Sequence, residues 1–224
     1  MCGRYQMSVK KDDIVIRFKV EVYEKLYRPS YNCAPSQKLP VITNLEQSKL
    51  NYFRWGLIPF WAKDIKIGNK MINAKAETID QKPSFKNSFK RKRCLVPGNG
   101  FYEWRKEGNE KIPCRIFLKN NELFSFAGIW DTWKDAEGRE INSFSIITTE
   151  PNELMEKIHR RMPVILHESS EKSWLNQEDP AILKELLKPY PSEKMLAYPV
   201  SKAVNSPVNN SEEVVKQEGE LVRL

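Results

Sequence analysis

Residues 101–130 read FYEWRKEGNEKIPCRIFLKNNELFSFAGIW, and the punctuation of this stretch decides the fold. Three apolar runs, 101–105, 113–118 and 124–130, are separated by Glu107-Gly108-Asn109 and by Asn120-Asn121. Glycine and asparagine reach the positive backbone angles that tight turns need, so the stretch reads as strands joined by two hairpin turns. The same pattern continues outward. Short extended segments are predicted at 40–43, 50–55, 71–74, 94–96 and 143–149, the last entered through a turn at 135–138. Many strands joined by tight turns favour an antiparallel sheet that curls or closes. One helix is predicted after a Ser8 cap, with Ile14, Phe18 and Val22 at helical spacing, and others at 83–89, 152–158, 169–175 and 180–187. The fold class is α+β: a curled, largely antiparallel sheet or barrel with peripheral helices. There is no internal repeat, and no linker rich in glycine, proline or serine before the polar C-terminal stretch. Residues 1–224 are therefore expected to form a single domain, with a core over 1–205 and a partly loose segment over 206–224.

The 224 residues are 40% hydrophobic and include six tryptophans, enough for a sizeable core. No apolar stretch approaches the roughly 18 residues of a membrane helix. Arg4, Lys10, Lys11, Asp12 and Asp13 make the opening unlike a signal peptide. A monomeric, cytoplasmic protein, nucleoid-associated if bacterial, with no membrane partner is expected. Cys2, Cys33, Cys94 and Cys114 match neither a metal clip nor a disulfide scaffold, so no metal and no cofactor is expected and the last three read as buried small hydrophobes. The net charge of +8 is polarised: residues 1–112 carry 23 basic and 11 acidic side chains, the remainder 14 and 18. Such asymmetry points to a polyanion, most often nucleic acid. The densest run, Lys86, Lys90, Arg91, Lys92 and Arg93, reads either as the solvated face of a helix that buries Phe85 and Phe89 or as a phosphate contact.

Cys2 directly follows Met1. Removal of Met1, which is expected, leaves a cysteine whose amine and thiol are both free. Such a 1,2-aminothiol attacks an aldehyde through its amine to give an imine, and the thiol then closes a thiazolidine ring. An α-amine titrates near 7.7–8.0, so roughly a tenth to a sixth of it is unprotonated at pH 7, against about one part in 2,500 of a lysine. Cys2 is thus a candidate nucleophile, the bland alternative being an incidental second residue. An aldehyde trap also needs groups that move protons and hold the amine. His159 stands among arginines at the end of a predicted helix and suits acid-base work, whereas His167 reads as surface. Glu103 is framed by aromatics and shares a strand face with Phe101. On an interior face desolvation would raise its proton affinity; on the other face it simply points to solvent. Asn73 interrupts a small apolar strand, where it either orients the amine or starts a turn.

Six ordered stretches carry a family resemblance: Cys2-Gly3-Arg4-Tyr5; Tyr31-Asn32-Cys33-Ala34-Pro35; Trp55-Gly56-Leu57-Ile58-Pro59 followed by Trp61; Asn73-Ala74-Lys75-Ala76-Glu77-Thr78; Gly100-Phe101-Tyr102-Glu103-Trp104; and His159-Arg160-Arg161-Met162-Pro163. Together they resemble the SOS-response-associated peptidase family, or SRAP domains. The resemblance implies the SRAP fold and a DNA-damage protein that binds single-stranded DNA, particularly near junctions with double strands. It implies covalent capture of abasic sites through the N-terminal cysteine as a thiazolidine. Carried over by position, Cys2 is the nucleophile, Asn73 positions it, Glu103 handles protons including those of crosslink reversal, and His159 assists sugar ring opening. Thr148 is a further site neighbour. Arg4, Lys75 and Arg161 match phosphate-gripping positions, while Pro35, Trp61 and Trp104 match surfaces that stack on bases or wedge a junction. Trp55 reads as core.

Two departures stand out. Lys75 replaces the usual arginine, so a two-pronged fork becomes a point charge. Gly98-Asn99 differs from the commoner alanine-containing version. The family name includes peptidase, which leaves Met1 removal open between the protein itself and a cellular aminopeptidase; abasic-site lyase activity is likewise open. Two rival readings remain. One is an N-terminal-nucleophile amidotransferase, since such enzymes also begin Met-Cys-Gly and Asn99-Gly100 resembles their oxyanion-binding pair. The other is a non-covalent single-stranded DNA-binding module.

Overall fold

The Gly108 turn forms as its residues dictate, and the Asn120-Asn121 turn does something else. In the computed structural model, which describes residues 2–23 and 25–223, the strands in chain order are β1 (Arg4–Met7), β2 (Ser30–Cys33), β3 (Lys38–Thr43), β4 (Glu46–Trp55), β5 (Asn73–Lys75), β6 (Arg93–Gly98), β7 (Gly100–Glu107), β8 (Glu110–Leu118), β9 (Phe124–Lys134), β10 (Glu140–Thr149), β11 (Met162–Pro163), β12 (Ile165–Leu166) and β13 (Met195–Pro199). The α-helices are α1 (Lys11–Phe18), α2 (Lys86–Arg91), α3 (Glu153–Glu156), α4 (Glu168–Asn176) and α5 (Pro180–Glu185). Met1, whose removal the sequence reading calls for, lies outside the described residues.

β7 and β8 pair antiparallel up to Glu107 opposite Glu110, across a two-residue loop in which Gly108 takes φ 58°. Asn120 and Asn121 both take left-handed angles (φ 66° and 54°), as expected of a turn there. That turn does not close a hairpin. β8 pairs with β7 and β13, whereas β9 pairs with β6, β10 and β12, so the chain passes from one sheet to the other. The physical reason is that β13 fills the edge of β8 that a hairpin partner would have taken.

The first sheet has the order β13-β8-β7-β1-β2 and is antiparallel throughout. In the second, the path β10-β4-β3-β6-β9 returns to β10, which closes five strands into a barrel. Among the pairings of the named strands in the described residues, those of β10 with β4 and β5 are parallel and the rest antiparallel. The curled, largely antiparallel architecture with peripheral helices is thus the one the turn pattern calls for. Tyr5 locks the two layers together: its ring stands edge-on to Trp55 (5.3 Å) and to Phe126 (5.7 Å), all three fully buried. Contacts of this kind contribute about 0.5–1.5 kcal/mol each beyond burial.

Several sequence expectations need correction. Ser8 does not cap α1. The helix starts at Lys11, where the Asp13 carboxylate accepts the Lys10 N–H at 3.0 Å, and it stops at Lys19 in a left-handed conformation, which leaves Val22 outside. Ser8 instead exchanges hydrogen bonds with Gln6 and Asn99. At the end of the basic run Arg93 turns inward. It is 2% exposed and donates to the carbonyls of Phe89, Lys90, Trp174, Leu175 and Gln177, closing the C-terminal ends of α2 and α4. Finally, the segment after residue 205 is mostly exposed but returns to the core at several points. Val214 is buried with Val204 and Tyr102, Asn210 accepts the backbone N–H groups of Tyr31 and Asn32, and Val222 N–H donates to Ala197. No helix among the described residues is long and apolar enough to cross a membrane.

Candidate active site

β1 lies antiparallel to β7, with Arg4 opposite Tyr102 and Tyr5 opposite Phe101. This register brings the start of the chain alongside Glu103. Cys2 is fully buried, with Sγ 3.6 Å from the Arg4 carbonyl. Burial, reinforced by the charge of Glu103, pushes the thiol well above its ordinary range, so it is held as a thiol.

Glu103 is 2% exposed, and burial pushes its carboxyl up to about 7, with the Trp104 backbone N–H pulling the other way. Strand alternation alone cannot explain this burial, because Tyr102 is fully buried too. Phe101 faces the barrel at Phe126, while Tyr102 is covered by Val200, Val204 and Val214. β7 is therefore sandwiched, and a carboxylate on it is desolvated on the barrel side. His159 Nδ1 stands 4.0 Å from Glu103 Oε1. Burial, joined by the positive charges of Arg160 and Arg161, lowers the imidazole below its ordinary 6.5. The ring is placed by Arg161, whose backbone N–H lies 3.1 Å and carbonyl 3.2 Å from Nδ1. One backbone unit can thus serve either protonation state of the ring.

Glu103, His159, Trp104, Lys111 and Asn205 line an open cleft of about 540 Å³. A larger hollow of about 680 Å³, over Asn44, Lys90 and Pro180, contains none of the proposed reactive groups. Neither Lys111 nor Asn205 is signalled by the sequence. Asn205 receives the Trp104 indole N–H at 2.8 Å and, through its carbonyl, the Arg4 guanidinium at 2.9 Å. It lies a hundred residues from Trp104, and no local pattern links them.

The remaining candidates divide into groups. Asn73 is on β5, beside β10, where its Nδ2 donates to the Ile72 carbonyl at 3.1 Å. Its Oδ1 is buried and accepts no hydrogen bond among the described residues. Thr148, fully buried on β10, is paired in register with Lys75, whose side chain is exposed. Arg161 donates to the Thr148 carbonyl at 2.7 Å and, through both terminal nitrogens, to Glu77. Arg4 is half-buried and engaged with Asn32 and with the carbonyls of Val204 and Asn205. Pro35 is half-buried in the turn before β3, and Trp61 is 48% exposed.

Trp61 and its neighbour Phe60, 57% exposed, sit on a loop that is fastened from beneath. Ile58 N–H donates to Ser143 Oγ (2.8 Å), Phe60 N–H to Asp131 (2.9 Å), and the Trp133 indole to the Ala62 carbonyl (2.7 Å). Gly56 turns the chain into the loop at φ 117°, where a Cβ would stand 2.5 Å from the Gly68 carbonyl oxygen. Two adjacent large apolar rings thus stand toward solvent on a loop whose backbone is tied to β9 and β10.

Cys2 is thus buried within the field of Glu103, which in turn faces His159, on a partly closed β-scaffold. The SOS response associated peptidase (SRAP) family matches residues 1–207, and the chain belongs to that family. It is similar to the abasic site processing protein YoqW of Bacillus subtilis (strain 168), 50% identical over 96% of this chain and 99% of that one. It is also similar to the abasic site processing protein HMCES of Xenopus tropicalis, 32% identical over 84% of this chain and 65% of that one. Among solved structures, a protein from Bacteroides thetaiotaomicron superposes with a TM-score of 0.90 at 37% identity, covering 96% of this chain and 99% of that one.

Proposed function

We propose that this protein captures abasic sites in single-stranded DNA, and at junctions with double strands, as a covalent DNA-protein crosslink. The observation that carries the reading is the burial of Cys2 within the field of Glu103, itself raised to about 7 and 4.0 Å from His159. The names of the related abasic site processing proteins agree with it. Residues 1–224 act as one unit.

After Met1 is removed, the amine of Cys2 adds to the aldehyde of the ring-opened abasic sugar. The product is a carbinolamine, which loses water to give an imine. The Cys2 thiol then adds to the imine carbon while its proton passes to the nitrogen, closing a thiazolidine; the net change is the loss of one water. Glu103 is suited to moving these protons because a group titrating near 7 both accepts and donates at neutral pH. His159 assists opening of the sugar hemiacetal, and Asn73 Oδ1, a buried acceptor, takes a hydrogen bond from the amine. The imine is also the branch point at which β-elimination would cut the strand, and ring closure withdraws it from that path. Trp61, Trp104 and Pro35 contact bases, and Arg4, Lys75 and Arg161 attract phosphates. Lys75 supplies attraction without the orientation an arginine fork would give.

Amidotransferase chemistry has less support: the Asn99 amide is oriented by Ser8, its Oδ1 accepting the Ser8 N–H and one Nδ2 hydrogen going to the Ser8 hydroxyl, and the related proteins are named for abasic site processing. The test is denaturing electrophoresis with abasic and intact oligonucleotides. A stable adduct is expected only with abasic DNA and only when Cys2 is N-terminal. Equal crosslinking by protein with a residue inserted before Cys2 would refute the mechanism.

A further inference from the structure

We propose that Glu77 is a built-in competitor of DNA phosphate for Arg161, limiting how tightly the protein holds undamaged single strands. The inference rests on the function proposed above, which places Arg161 at a phosphate.

Arg161 presents both terminal nitrogens to Glu77, Nη1 to Oε1 at 2.6 Å and Nη2 to Oε2 at 2.9 Å. This two-pronged arrangement is the one by which a guanidinium receives a phosphate, so the carboxylate occupies the seat a phosphate would take. Arg161 is well supported from behind, since Nη2 also donates to the Thr148 carbonyl at 2.7 Å and the side chain is 15% exposed. Glu77 is 49% exposed. The carboxylate is therefore the replaceable partner and the guanidinium the fixed one. With half of the Glu77 side chain in solvent, water and an incoming phosphate can both reach the carboxylate and exchange for it. The adjoining Lys75 contributes a second positive charge to the same short segment, and its field reaches Glu77.

The arrangement suits a protein whose lasting attachment is covalent. Such a protein gains nothing from holding intact DNA tightly, and a negative charge on the phosphate path hastens release wherever no aldehyde is found. A phosphate must displace Glu77 from Arg161 and then remain beside its charge, which lowers affinity and removes about one cation from the effective count.

The test uses full-length protein and a fluorescent single-stranded oligonucleotide without abasic sites, with binding measured across a series of salt concentrations. Glu77→Gln should bind about two- to fivefold more tightly than wild type at low salt, as expected for removing one half-exposed like charge. Its dependence of log affinity on log salt should steepen by about 0.7, the increment for one more phosphate contact on a single strand. In an Arg161→Gln background the same substitution should give less than half that gain, because the competition acts through Arg161. Unchanged or weaker binding by Glu77→Gln, with circular dichroism showing a wild-type fold, would overturn the proposal and make Glu77 an orienting partner of Arg161. So would an equal gain in both backgrounds, which would reduce the effect to general charge. A wild-type protein that does not bind the oligonucleotide at all would instead strike at the parent reading.

Discussion

Replacing Glu103 with glutamine should make the protein more stable above neutral pH while impairing its chemistry. The carboxyl is 2% exposed and titrates at about 7 in the folded chain, against an ordinary 4.5. Below pH 4.5 it is protonated in both folded and unfolded chains and has no differential effect. Between 4.5 and 7 the folded chain retains a proton the unfolded chain has lost, so stability falls as pH rises. Above 7 the penalty is complete, at about 3 kcal/mol by the free-energy equivalent of the shift. His159, itself lowered below 6.5, is neutral there and adds no positive charge. Glutamine keeps the shape and removes the charge. For a chain of this length, about 3 kcal/mol corresponds to a Tm difference of roughly 6–12 °C. Thermal unfolding of wild type and Glu103→Gln at pH 8 and pH 5 should show the variant ahead by that margin at pH 8 and by only a few degrees at pH 5. A gap of equal size at both pH values, or a variant less stable at pH 8, would refute the assignment of a buried, charge-penalised carboxylate.

Other consequences are equally direct. Trp61→Ala should weaken single-stranded DNA binding by about 1–3 kcal/mol, or roughly 5- to 150-fold, the range for one lost base-stacking ring; its Tm should barely move, since the ring is 48% exposed. Arg93→Met leaves five carbonyls without their donor and should lower stability by at least about 3 kcal/mol in urea unfolding. Because Arg93 is buried, the salt dependence of DNA binding should stay as in wild type; a shallower dependence would return it to the phosphate-binding surface. Cys2→Ala keeps an α-amine and loses the thiol, so borohydride should trap an imine with abasic DNA while no heat-stable adduct accumulates. A stable adduct without borohydride would remove the thiol from the mechanism.

The fold was legible where turn chemistry is local. Gly108, Gly138 and the Asn120-Asn121 pair all mark real turns because their positive backbone angles are properties of single residues. What followed Asn121 was not legible, since pairing β8 with β13 instead of β9 is decided by a strand some eighty residues away. Ser8 failed as a cap for the same reason: Asn99, from a distant loop, takes its hydrogen bonds. At the site, Cys2, Glu103 and His159 could be singled out by chemical type, and the structure brings these three together. Asn205 and Lys111 carried no signal of their own and reach the cleft only through tertiary packing. The basic run illustrates both sides. Lys86 and Lys90 are solvated as the helical spacing implies, while Arg93 is drawn inside by carbonyls at the ends of α2 and α4.

The central claim is that both the amine and the thiol of Cys2 join the abasic sugar with loss of one water. Intact mass spectrometry of the purified adduct tests it most directly. The account predicts protein lacking Met1, plus the abasic oligonucleotide, minus one water, in a species that borohydride does not alter. An adduct that retains Met1, or one whose mass rises by two hydrogens on borohydride treatment, would contradict it.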